Sequence, residues 1–229
     1  MLPVDVEGAD YKVLLTKAGE IDGNTYVDPR GEQVMTVDHM ATSCTAVRAM
    51  DAGEKAKYAG AQAIRSAVDS AMSAYLKEHY STGTASVFTT TEGSQTTLTV
   101  CIGATKTSPR NFWSGRWRST WTCVMTGGSS AELSGKIQLQ SHYYESGNVQ
   151  MHSNHDVAST IEIGADDQAT AVNISAAIAV AESTYQQSID DAFITMSDTA
   201  LKQLRRKMMV SVTKFNFSQY RSVATELKK

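Results

Sequence analysis

The spacing of apolar positions changes period three times along the chain. In the first fifty residues apolar and polar side chains alternate in short runs, YKVLLT, GEIDGN, TYVDPRGEQ and VMTVDH. Pro29 and Gly31 in DPRG are good turn formers, so residues 1–50 predict a small β-rich edge and not a separate domain. From Glu54 to Tyr80 the period becomes helical. Ile64, Val68, Met72, Tyr75 and Leu76 recur three to four residues apart in an Ala-rich stretch free of proline, which predicts one amphipathic helix over 54–80.

After Gly83 the period drops to two. Five strand candidates follow, ASVFTTT, TTLTVCIGA, RWRSTWTCVM, GKIQLQSHYY and NVQMHS, joined by the turn signals EGS, TSPRN, TGGSS and ESGN. Joins this short cannot cross over to make parallel pairs, so residues 84–156 predict an antiparallel meander. On its third strand Trp117, Trp121, Cys123 and Met125 share one face, and Arg116, Arg118, Thr120 and Thr122 the other. From Asp166 the helical period returns. Val172, Ile174, Ile178, Ala181, Tyr185, Ile189 and Phe193 form a stripe along a helix over 166–195, about 40 Å long, that would pack across the meander, with Asp166 and Asp167 suited to its N-terminus. Strands followed by a covering helix give an α+β class.

Ser197 reads as the N-cap of a second, shorter helix with Asp198 in its first turn. Leu201, Leu204 and Met208 would then share one face, and Lys202, Arg205 and Arg206 another. Phe217, Tyr220, Ala224 and Leu227 give a short amphipathic tail, which docks either on its own domain or in a groove on a partner. Residues 1–197 therefore read as an α+β core, and residues 198–229 as a basic helix and tail of the same domain.

Composition adds a charge asymmetry. Of 229 residues 41% are hydrophobic, 20% are charged and only three are proline, enough to bury a sizeable core. The net charge of −3 conceals a split: residues 1–197 carry −9, whereas residues 198–229 hold eight Lys/Arg against two Asp/Glu, or +6. An acidic partner for the C-terminal end follows. No run reaches the roughly 20 apolar residues of a membrane span, and the N-terminus lacks the basic and apolar segments of a signal peptide, which points to the cytoplasm. Cys44, Cys101 and Cys123 are widely spaced, without a C-x-x-C, and read as reduced, packed thiols.

Motifs for catalysis are absent: no G-x-S-x-G, P-loop, G-x-G-x-x-G or H-E-x-x-H occurs. A non-enzyme without cofactor follows. The nearest approach to a metal site is His152, His155 and Asp156, with His142 on the preceding strand. A hairpin loop of two or four residues at ESGN would set Tyr144 opposite Val149 and His142 opposite Met151, sending His142 and His152 to opposite faces and leaving no metal site. RWRSTW interleaves Arg with aromatics, as single-stranded nucleic-acid binders do, but its Trp and Arg alternate to opposite faces, which disfavours that reading.

NFWSGRWRSTW at Asn111 to Trp121, SHYYESGNVQ at Ser141 to Gln150 and TMSDTALKQLRRKM at Thr195 to Met208 together resemble the F-actin-capping protein alpha subunit family; EHYSTG and YVDPRGEQVMTVDH are similar more weakly. The family's N-terminal helical stalk has no counterpart, so the chain reads as a fragment or as a divergent member. The resemblance implies a cytoplasmic, cytoskeletal heterodimer with a beta subunit. Each subunit gives five strands to one sheet, and the complex caps the barbed end of actin filaments independently of calcium. It also implies the actin-related filament of dynactin as a partner, and phosphoinositides and capping-protein-interacting peptides as regulators. The alternative implied is a scaffold subunit of such a complex with weak or lost actin binding. Lys202, Arg205 and Arg206 match basic positions of the family's capping surface, Lys214 matches a further one, and Lys207 is an extra cation. Val212 stands where the family commonly has Arg, and Met208 and Met209 where it has Leu-Pro. Phe217, Tyr220 and Leu227 fall in its C-terminal tentacle.

Overall fold

The computed structural model describes residues 2–5, 12–58, 61–145 and 148–202. The chain divides into two compact units, Met1–Tyr185 and Gln186–Lys229. The first holds three antiparallel sheets. β1 (Leu2–Asp5) pairs with β2 (Lys12–Leu15), and β3 (Glu20–Asp22), β4 (Thr25–Asp28), β5 (Gln33–Asp38) and β6 (Ser43–Ala49) form a four-stranded meander. Two helices follow, α1 (Ala52–Tyr58) and α2 (Gln62–His79). The largest sheet consists of β7 (Thr84–Glu92), β8 (Gln95–Ser108), β9 (Trp113–Met125), β10 (Ser130–Tyr143) and β11 (Val149–Glu162), in sequential order, ahead of α3 (Asp167–Met196). The five-stranded meander and long C-terminal helix are those expected.

Alternation in β9 sorts the faces of this sheet. Trp117, Ser119, Trp121 and Cys123 are buried on one side, beneath Ile174, Ile178 and Tyr185 of α3, whereas Arg116 is exposed on the other. Trp121 stands opposite Gly135 in the β9–β10 register, and a Cβ on residue 135 would overlap its indole ring, so only glycine lets that ring lie flat across the neighbouring strand. Asp166 starts α3 by accepting the Ala169 backbone N–H at 2.6 Å.

Three expectations need correction. A left-handed Ala61 (φ 55°) separates α1 from α2, so 54–80 is not one helix; Gly60, a weak helix former, precedes it in sequence. The meander runs past Asp156 to Glu162, because Ile161 is buried. In the α3 stripe Val172 and Phe193 are 53% and 46% exposed, and the buried row is Ala171, Ile174, Ile178, Glu182 and Tyr185.

The DPRG turn does more than reverse the chain. Buried Asp28 accepts the backbone N–H groups of Arg30 and Gly31 at 3.0 and 3.2 Å, which aims Arg30 at α2. There its Nε and Nη2 donate to Asp69 at 2.9 and 2.7 Å, a bidentate pair that ties the four-stranded sheet to the helix. The neighbouring Arg65 is 3% exposed, and burial pushes its guanidinium pKa down against the opposing charge of Asp69.

Candidate functional site

Glu182 fixes α3 on the sheet. Its side chain is completely buried, and four donors converge on it. Tyr75 and Tyr80 hydroxyls donate to Oε2 at 2.9 and 2.6 Å, Ser119 Oγ donates to Oε1 at 2.5 Å, and Trp121 Nε1 approaches Oε1 at 3.4 Å. One carboxylate thus joins α3 to β9, to α2 and to the residue that ends α2. Burial, and then the charge of Glu182, push both tyrosine pKa values up. Sequence reading passed over Glu182 as polar, although its spacing of four from Ile178 was the available signal. Beside it, Tyr185 donates to Ser153 Oγ at 2.7 Å and stacks on His155 at 4.7 Å.

In the second unit the expected cap at Ser197 is not formed. The helix continues through a π-helical turn, Ser197–Leu201, with Met196 and Lys202 both right-handed, so Ser197 sits inside a helix. Thr199 Oγ1 donates to the Thr195 carbonyl at 2.6 Å, and Lys202 Nζ to Asp198 Oδ1 at 2.7 Å. The Lys202–Asp198 pair is about half-exposed on both sides and contributes at most ~1 kcal/mol. Of the expected filament-contacting residues only Lys202 lies within the described residues; Arg205, Arg206, Lys207, Lys214, Phe217, Tyr220 and Leu227 lie outside them, as do Leu204, Met208 and Val212.

The histidine expectation changes. Tyr143, not Tyr144, stands opposite Val149, and His142 stands opposite Gln150. Past the strand end, the Tyr144 N–H donates to the Phe112 carbonyl at 2.9 Å and its ring meets Phe112 edge-on at 6.0 Å, next to the Tyr143↔Trp113 pair. The register is thus shifted by one residue from that expected, and His142 and His152 come to the same face. His155 is on the opposite, helix-covered face against Tyr185, and Asp156 stands opposite Lys136. Among the described residues no group of three His, Cys, Asp or Glu side chains is arranged to hold a metal. Trp117 and Trp121 are buried and Arg116 is exposed, so no stacking platform faces the arginines. Cys101 and Cys123 are buried free thiols whose pKa values burial pushes up to about 11, and Cys44 is half-buried. No helix among the described residues is long and apolar enough to cross a membrane.

Residues 1–226 match the family model of the F-actin capping protein alpha subunit. The chain belongs to that family. It is 38% identical over 229 residues to the F-actin-capping protein subunit alpha of Dictyostelium discoideum, covering 99% of this chain and 80% of that one. The Arabidopsis thaliana and Caenorhabditis elegans alpha subunits are 34% and 31% identical, covering 99% of this chain and 77% and 79% of theirs. The fold is shared with a homodimeric actin capping protein alpha subunit from Plasmodium berghei at a TM-score of 0.73 and 17% identity, over 93% of this chain and 79% of that one. The capping-protein alpha family is structural and associated with the cytoskeleton, and its members are typically heterodimeric. Actin capping is accordingly expected of this chain.

Proposed function

We propose that this chain is a non-enzymatic, cytoplasmic alpha subunit that pairs with a beta subunit and caps the barbed end of actin filaments independently of calcium. The observation that carries this reading is the family match over residues 1–226, which includes the basic run at 202–207. The +6 charge of residues 198–229 supports it, since a localized cationic surface raises the rate of encounter with an acidic filament end. In this reading Lys202, Arg205, Arg206, Lys207 and Lys214 orient the complex, and Phe217, Tyr220 and Leu227 then slow its release through apolar contact. β11 supports the partner. It is a 14-residue edge of the five-stranded sheet with mostly exposed side chains and, among the described residues, no further strand, and a long unpaired edge is a template for another strand.

A seeded actin-elongation assay with the purified complex tests the reading. Growth from barbed ends should stop at substoichiometric ratios to actin, with and without a calcium chelator. Undiminished growth would refute it.

The homodimeric Plasmodium berghei relative motivates a second reading, in which two copies of this chain pair along β11. The native mass separates the two: a single polypeptide species near twice 24.8 kDa supports the homodimer, and co-purification of a second polypeptide supports the heterodimer.

A further inference from the structure

The face of the meander opposite α3, which β2 covers in part through Leu14, carries an arginine and two histidines that the capping reading does not use. A groove of about 250 Å³ crosses β8 to β11, bordered by Thr105, Ser114, Arg116, Gln140, His142 and His152. The pairings Thr105↔Arg116, Arg116↔Gln140 and Gln140↔His152 place one lining residue on each of four adjacent strands. Among the described residues no carboxylate lines this groove. Arg116 is exposed and has no carboxylate partner among the described residues. Arg118, two residues along on the same face, has a buried Nε without a hydrogen-bond partner, and burial and then the charge of Arg116 lower its pKa. Two unneutralised guanidiniums thus stand side by side.

The acids nearest this groove along the strands are both engaged or distant. Glu145 accepts a hydrogen bond from the Tyr143 hydroxyl, and Asp156, about 13 Å along β11 from His152, stands opposite Lys136. His142 is held by Asn148 Oδ1 at 2.9 Å, and the His152 ring lies 3.4 Å from Gln150 Oε1.

The distribution of these groups selects the ligand. A single phosphate needs donors that converge on one point. Here the polar groups are spread over four strands about 4.8 Å apart, roughly 14 Å in all, the length of about four extended residues. A bilayer surface is flat and would reach only the rim. We propose that this face binds an extended acidic peptide segment of a partner protein, laid across β8–β11, with its carboxylates on Arg116, His142 and His152 and its backbone on the intervening hydroxyl and amide groups.

The test measures fluorescence anisotropy of labelled hexaglutamate with the natively purified oligomer of the full chain. Hexaglutamine, inorganic phosphate and phosphatidylserine vesicles serve as comparison probes. Hexaglutamate should bind, weaken steeply with added salt, and lose affinity tenfold or more in Arg116→Glu, while hexaglutamine does not bind. Lys202→Glu/Arg206→Glu should keep most of this binding, and Arg116→Glu should leave filament capping unchanged. Should Arg116→Glu fold poorly, Arg116→Gln combined with His152→Gln, checked for an unaltered thermal transition, gives the same reading. Hydrogen-exchange protection by hexaglutamate should then map to Ser114–Gly115 and Gln140–His142. Affinity unchanged in the Arg116 variants would overturn the proposal. Binding lost on reversing Lys202 and Arg206, or Arg116-dependent binding of phosphate or vesicles in place of the peptide, would overturn it equally.

Discussion

At the scale of single residues, Glu182 shows how one polar position organises the interior. Removing its carboxylate takes away the acceptor that Tyr75, Tyr80 and Ser119 share and opens a cavity, two costs that add. Glu182→Ala should lose about 3–5 kcal/mol in urea unfolding, and Glu182→Gln, which keeps an acceptor oxygen, about 1–3 kcal/mol. A Glu182→Ala loss below about 0.5 kcal/mol, the range of ordinary surface changes, would contradict this role. The residue was hard to read from sequence because burial of an acid depends on four partners drawn from distant segments. The alternation of Trp117, Trp121 and Cys123, in contrast, was legible, because a period of two needs no knowledge of neighbours. The His142 register was misplaced because it followed from an assumed loop length at ESGN: Tyr143, not Tyr144, stands opposite Val149, and a shift of one residue moves every side chain of β11 to the other face.

At the scale of elements, the boundary between α1 and α2 and the tie from the DPRG turn to α2 make separate predictions. Ala61 occupies the left-handed region, where glycine avoids the Cβ clash. Ala61→Gly should therefore stabilise by up to about 1 kcal/mol, raising the thermal midpoint, against the loss a glycine costs inside a helix. A lowered midpoint would mean that residues 54–80 behave as one helix after all. Arg30→Ala should cost about 1–3 kcal/mol and Asp69→Asn a comparable amount, and the double substitution should cost less than the sum, since both remove the same bidentate bond. Strict additivity in denaturant titrations would contradict the tie. The helix over 62–79 was legible from Ile64, Val68, Met72 and Leu76, all of which are buried. Its separation from α1 was not, since a single left-handed residue leaves the apolar spacing on either side intact.

At the scale of the whole molecule, the split between an acidic first 197 residues and a basic C-terminal end is legible in sequence alone, and it predicts how the complex meets its partner. If long-range attraction orients the complex, the capping on-rate should fall as salt is raised while the off-rate changes little, because screening acts on encounter more than on apolar contact. Among the described residues the β11 edge is unpaired, and in the proposed heterodimer a beta subunit covers it, so the isolated chain should self-associate or aggregate, and co-expression with a beta subunit should suppress this.

The central claim, that the cationic C-terminal end binds filament barbed ends, is tested most directly by seeded elongation with the Lys202→Glu/Arg206→Glu complex. Capping should weaken roughly 100-fold, the loss of about 2.7 kcal/mol, with the thermal transition unchanged. Full-strength capping by a folded double variant would contradict the account.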